Sequence, residues 1–213
     1  MEQPRAIKSD TAATLLEATQ ACLRRHGLAG LSTRQVAEEA GMPLSQIHYH
    51  FGSKQKLLLA LLEHQNRKLL ARQQALYAEP MPLWRRWMQA CDYLEEDLAS
   101  GYVRVLHEMI AAGWSNAQIA AEARRIVGAW FDLLVRVAGE AAQRLGGLGP
   151  FTPREVSALV GQWFMGAESM ILLGFSEQEL PTRSALRKVG ELLRQLEATE
   201  NGGNDHASAI SGP

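Results

Sequence analysis

Cysteine is nearly absent from this sequence, and the two that occur, Cys22 and Cys91, stand far apart inside helical patterns. That spacing excludes a disulfide framework, and with no CxxC or Cys/His cluster it excludes a zinc site. Both thiols read as core filler, and neither a metal nor a cofactor is expected. Long apolar runs are lacking as well: none approaches the roughly 18 residues that a spanning helix needs, and residues 1–10 have no apolar core of the kind an export signal carries. The expectation is a cytoplasmic protein with no membrane partner. Sustained apolar/polar alternation between turn signals is missing, which argues against sheet, and no internal repeat is visible. Nor is there an excess of charge. With 22 Lys+Arg against 23 Asp+Glu and 46% hydrophobic residues, the 213-residue chain is no disordered polyelectrolyte and can bury a core without staples.

The balanced total conceals an uneven distribution. Residues 1–72 hold ten basic side chains against six acidic ones, while residues 73–213 hold twelve against seventeen. A basic N-terminal module on an acidic body is a pointer to a polyanionic partner, although a charge excess is usually only a solvated face.

Helical periodicity runs through almost the whole chain, which predicts an all-α protein of about nine helices. A first helix follows Ser9 or Asp10 as N-cap, buries Leu15, Leu16, Thr19, Cys22 and Leu23, and stops at Gly27. The start of the second is specified twice, by Ser32 and Gln35 at capping-box spacing and by Leu31 and Val36 at the positions of a hydrophobic staple. Pro43 suits the first turn of a third, to about His50, and Gly52-Ser53 opens a fourth from Lys54 to about Tyr77, closed by Pro80-Met81-Pro82. Further helices are expected at about 83–99, 102–112 and 116–145, the last with Ser115 and Gln118 as a capping box. Thr152-Pro153-Arg154-Glu155 starts a helix to about Leu173, and a final one runs from about Thr182 to Ala198 with Leu186, Val189, Leu193 and Leu196 on one face. The division expected is residues 1–52, an N-terminal module; 53–200, a helical body; and 201–213, a small, polar, disordered tail.

The informative stretch is LSTRQVAEEAGMPLSQIHYHFGSKQKLL, Leu31 to Leu58. Ala37 is small where two helices would cross, Gly41 supplies a tight turn four residues later, and Val36, Ala40, Met42 and Ile47 supply apolar contacts, which is the spacing of a helix-turn-helix. This segment, with the helix before it, resembles the DNA-binding domain of the TetR (tetracycline-repressor-like) family, over about residues 10–60. It departs from that family at Leu44, where a basic residue is frequent, and at His48, where an aromatic is frequent. The resemblance implies a homodimeric, ligand-responsive transcriptional repressor rather than an enzyme. Its N-terminal three-helix helix-turn-helix domain, residues 1–52, would be joined by a long helix to a C-terminal ligand-binding and dimerisation bundle, residues 53–200, with double-stranded operator DNA and a small-molecule effector as partners.

The residues carry an argument for DNA of their own. Lys54 and Lys56 occupy the first turn of a helix, where the macrodipole disfavours cations, so something anionic should compensate; a DNA phosphate and mere solvation are both open on that ground. With Ile47 inward, the third helix presents Ser45, Gln46, His48 and Tyr49. Gln46 can pair with adenine, Leu44 can pack on a thymine methyl, Arg34 can reach a guanine, and Thr33, Tyr49, His50 and Lys54 suit phosphate oxygens. His48 and His50 could instead form a metal or acid/base pair, but their i,i+2 spacing puts them on different faces.

Residues 83–175 hold all five tryptophans. Such a stripe is more often core than ligand box; the resemblance implies an apolar effector cavity lined by Trp87, Trp130, Phe131 and Trp163, with His107 either its polar contact or a satisfied core histidine. Gly161, Gly166 and Ala167 allow close helix approach, and the resemblance places the last two helices in a four-helix dimer interface, internal packing being the alternative. Glu168 in the same run could face solvent, pair across a subunit boundary or meet a cationic ligand. The rival functions are a regulator that senses no small molecule and an enzyme using the C-terminal cavity, for which no nucleophile, phosphate loop or metal motif is present.

Overall fold

A computed structural model describes the backbone of residues 4–209 and the side chains of residues 10–199. Nine helices account for almost all of it: α1 (Pro4–Gly30), α2 (Thr33–Glu39), α3 (Leu44–Phe51), α4 (Lys54–Ala78), α5 (Leu83–Ser100), α6 (Tyr102–Gly113), α7 (Ala117–Arg144), α8 (Pro153–Leu172) and α9 (Thr182–Ala209). No strand occurs among the described residues. None of the described helices is long and apolar enough to cross a membrane.

The helix starts follow local chemistry. At α2 the Ser32 hydroxyl accepts from the Gln35 N–H while the Gln35 side chain accepts from the Ser32 N–H, and Thr152 and Glu155 do the same at α8. Five starts and stops differ from the sequence reading. Helix α1 begins at Pro4, whose fixed φ suits a first turn, rather than after Ser9 or Asp10. Gly27, at φ 65° and ψ 179°, kinks α1 instead of ending it, because the helical path resumes for one more turn to Gly30. Pro43 is the N-cap of α3 rather than its first helical residue. At α7 the cap is Asn116, not Ser115: the Asn116 carboxamide oxygen accepts from the N–H groups of Gln118 and Ile119, while the Ser115 hydroxyl donates back to Ala112. Helix α9 continues to Ala209, beyond the Asn201 at which a tail was expected, and residues 210–213 of that tail lie outside the described residues.

The chain forms two compact units. The first comprises the chain up to Leu69 with Asp97–Ile126, and the second Leu70–Glu96 with the chain from Val127 onward, so α4 and α7 each contribute to both. In the first unit the predicted face of α1 is buried throughout, and Val36, Ala37 and Ile47 join it with Leu57, Leu58, Leu61 and Leu62 of α4. Each such leucine contributes about 1.5–3 kcal/mol by leaving water. Val103, Leu106 and Met109 of α6 complete this core. Thr19 is fully buried and satisfied, its hydroxyl donating to the Leu15 carbonyl at 2.6 Å.

In the second unit the buried set is Leu76, Leu83, Cys91, Leu94, Leu133, Leu134, Ala138, Phe164, Ala167 and Leu186. Helix α9 is tied to α5 at several points. Glu197 accepts from the Leu83 and Trp84 N–H groups at 2.8 and 3.2 Å, capping α5 from outside, and the Trp87 indole N–H donates to the Leu186 carbonyl at 2.6 Å. Arg187 and Arg183 pair with Asp92 and Glu95.

Burial pushes the Cys91 thiol from 9.0 up to about 11, with Arg187 pulling weakly the other way. The unfolded chain therefore releases this proton first, so the thiol's contribution to stability is complete below pH 9 and is lost as pH rises toward 11. We expect the urea midpoint to fall more steeply across that window in the parent than in Cys91→Ala; equal slopes would show that Cys91 does not contribute.

Candidate nucleic-acid interface

The site is assembled from the corner between α2 and α3. Gly41 at φ 63° makes the turn with open space around the position where a Cβ would sit, so the requirement is conformational rather than steric. The Met42 N–H reaches back to the Ala37 carbonyl at 2.9 Å, closing α2 against α3. With Val36, Ala37 and Ile47 buried behind, the two helices turn their polar residues outward.

Arg34, Ser45, His48 and Tyr49 are exposed, Tyr49 at 64%; Thr33, Leu44, Gln46 and His50 are half-buried. Arg34 makes no ion pair among the described residues, so its guanidinium is available to a partner. The Tyr49 and His50 rings meet edge-on with centroids 5.0 Å apart, and His48 Nδ1 lies 3.4 Å from the Gly52 carbonyl oxygen at the end of α3. That contact and the divergent faces leave the two histidines unsuited to a shared metal. No group of three or more His, Cys, Asp or Glu that could hold a metal occurs among the described residues.

Two cations near this surface are engaged within the fold. Arg25 of α1 is ion-paired to Glu39 of α2, and its hydrogen bond holds the Glu39 carboxyl below the usual carboxylate range. Lys54 is half-buried, and its Nζ donates to the carbonyls of Leu28 at 3.3 Å and Leu31 at 2.5 Å. The cation at the start of α4 is therefore compensated by carbonyls at the end of α1 without any phosphate. Lys56 is exposed, and its N–H is accepted by Ser53, the cap of α4.

Sequence reasoning missed two polar side chains on α4, Asn66 and Gln73, both buried. Seven residues apart, they share a face with Leu62 and Leu76, and polar residues on an apolar stripe were the available signal. Within the first unit Asn66 accepts from the Tyr102 hydroxyl at 3.3 Å, and within the second Gln73 accepts from the Trp130 indole N–H at 3.0 Å.

The residues expected to line an effector cavity separate as follows. Trp87 and Trp130 meet around Phe164, at centroid distances of 5.5 and 6.5 Å, and Phe131 stacks edgewise on Trp130 at 5.4 Å. Trp163 instead stands 49% exposed on the outer side of α8. His107 is half-buried on α6 in the first unit, and Glu168 is half-buried on α8 in the second. The small residues of α8 also diverge. Ala167 is buried and a Cβ on Gly161 would fall 2.3 Å from the Phe131 ring, whereas Gly166 opens to space.

Comparison with known proteins agrees with this geometry. Residues 15–61 match the model of bacterial regulatory proteins, tetR family. No curated protein sequence gives a significant match. Among solved structures, the chain is similar to a TetR-family transcriptional regulator from Pectobacterium atrosepticum, with 23% identity, 90% of this chain and 95% of that one covered, and a TM-score of 0.66. It is similar also to a transcriptional regulator from Saccharomonospora viridis in complex with choline (20%, 86% and 96% covered, 0.71) and to the regulator FadR from Bacillus subtilis in complex with stearoyl-CoA (13%, 85% and 96%, 0.66). The matched segment runs from within α1 to within α4 around the exposed α2–α3 corner, and the all-helical plan continues through α9, so residues 15–61 carry the N-terminal module of the tetR family model and the chain shares the fold of these solved structures.

Proposed function

We propose that this chain is a homodimeric repressor that holds a palindromic operator through one α3 per subunit and releases it when a largely hydrophobic small molecule binds the C-terminal helical domain. It acts as a cytoplasmic regulator, not as an enzyme, with residues 1–52 as the DNA-binding part and 53–200 as the sensing and dimerising part. The carrying observation is the α2–α3 corner, where an apolar back formed by Val36, Ala37 and Ile47 leaves Arg34, Ser45, Gln46 and Tyr49 at one surface. An α-helix so presented fits the major groove, and two copies would enter successive grooves about 34–36 Å apart. Arg34 and Gln46 read bases, Leu44 packs on a thymine methyl, Ser45 and His48 contact base edges or backbone, and Thr33, Tyr49 and His50 position the helices on phosphates.

The effector reading is supported by two relatives solved with small molecules, one with stearoyl-CoA and one with choline. In the second unit Trp87, Trp130 and Phe131 supply the apolar surface such a ligand would meet.

Selection of bound duplexes from a random pool tests the central claim. One enriched palindrome, with affinity falling steeply as salt rises, is the expected result, and binding without sequence preference would sink it. On the selected operator, Arg34→Ala and Gln46→Ala should each cost about 1–3 kcal/mol and relax preference at one base pair per half-site. Titrations against single-base operator variants check this; uniform weakening across all of them would reassign both side chains to the backbone.

A further inference from the structure

We infer that Lys54 is a positioning residue that fixes the reading helices from behind. Its Nζ bridges two carbonyls, those of Leu28 and Leu31, which lie 26 and 23 residues earlier in the chain and bracket the connection from α1 to α2. Beside these carbonyls stand the α1 kink at Gly27, the Leu31-to-Leu28 backbone bond at 3.3 Å, and the Ser32 cap from which α2 departs. Nothing else described in this corner joins it to the start of α4 by a charge-assisted bond. The ammonium thereby sets where α2 begins, and so where Arg34 stands relative to the residues of α3.

The electrostatics agree. A cation at the first residue of α4 opposes that helix's positive end, and the carbonyls at the end of α1 present the opposite sign to it. On α6, Glu108 lies within Coulombic reach of the same ammonium: burial raises its carboxyl, and Arg104 and Lys54 draw it down. Two carbonyl contacts and a nearby carboxylate leave Lys54 compensated before any polyanion arrives. Two of the ammonium's three N–H groups are committed within the fold, whereas exposed Lys56 and Arg34 keep theirs toward solvent.

This inference rests on the DNA-binding reading for its functional consequence but not for the clamp itself, and the two fail differently. The test compares the parent, Lys54→Met and Lys54→Arg by amide exchange of the free protein and by binding of the selection-enriched duplex at several salt concentrations. Loss of the clamp in Lys54→Met should speed exchange across residues 31–36 by about 10- to 100-fold and weaken the duplex by a comparable factor. Lys54→Arg, which keeps a multidentate donor, should restore both. A salt slope reduced by about 1, with exchange unaltered, would make Lys54 a phosphate contact and overturn the inference. If no duplex is enriched, the repressor reading falls and the exchange experiment decides alone: faster exchange in Lys54→Met upholds the clamp, and unchanged exchange removes it.

Discussion

Gly166→Leu should leave the subunit folded and abolish the proposed dimer. A Cβ at this position would meet nothing within 4 Å in the subunit, and replacing a helical glycine by leucine gains about 0.8 kcal/mol of helix propensity, so folding itself is unharmed or slightly favoured. The surroundings point outward in the same direction. Leu159, Trp163 and Leu173 lie on the Gly166 face of α8 or just beyond its end, and Leu192 and Leu196 of α9 are 58% and 53% exposed. Exposed apolar side chains concentrated on the last two helices of a chain with an ordinary core are surface that a second copy would cover. In a twofold interface every substitution occurs twice, so overpacking at about 1–3 kcal/mol per site becomes about 2–6 kcal/mol per dimer. Gly161→Leu is the contrasting control, because it collides with Phe131 inside the subunit and should lower the melting temperature directly. Sedimentation and thermal melting of the two variants separate the effects. A Gly166→Leu protein that still sediments as the parent dimer would move the interface to another surface.

What could be read in the sequence was what is local in it. The capping boxes at Ser32 and Thr152 are four-residue patterns, and the Gly41 turn is a conformational demand one residue can announce. The α7 start was misread because Ser115 and Asn116 are adjacent and equally able caps; the choice falls to Asn116 when Ile119 is buried one turn later. Lys54 was read as unsatisfied because only its own helix was visible, and the two carbonyls that satisfy it come from the end of another. Gly161 and Gly166 looked alike, since the residue that distinguishes them, Phe131, is 30 positions before the first. The exposed α2–α3 corner was legible for the same reason as the caps. Its spacing lies within one 28-residue stretch, Leu31 to Leu58, whereas the surroundings of Trp87, Trp130 and Phe131 depend on how distant helices pack.

Arg86 was invisible to periodicity, and it supports the second large prediction: Glu140→Ala should destabilise the protein more than Arg86→Met does, although Arg86 is the buried partner. The Arg86 side chain is 4% exposed and that of Glu140 47%, with Nη1 donating to the carboxylate at 2.8 Å and Nη2 to the Glu79 carbonyl at 2.7 Å; Nε has no partner among the described residues. Removing Glu140 therefore leaves a buried cation held by one backbone oxygen, at a cost of about 3 kcal/mol. Tyr77 cannot replace the lost charge, because burial pushes its hydroxyl up to about 12 even against the pull of Arg86, and it stays neutral. Removing Arg86 instead eliminates the buried charge, its methionine replacement fills most of the same volume, and water can solvate the half-exposed carboxylate and the exposed Glu79 backbone. The cost should then be about 1 kcal/mol. Urea unfolding of the two single variants and the double variant gives the ranking, and the double variant should resemble Arg86→Met rather than the sum. If Arg86→Met proves the costlier change, the guanidinium serves chiefly as a brace between α5 and the carbonyl that follows α4, and the charge pairing is secondary.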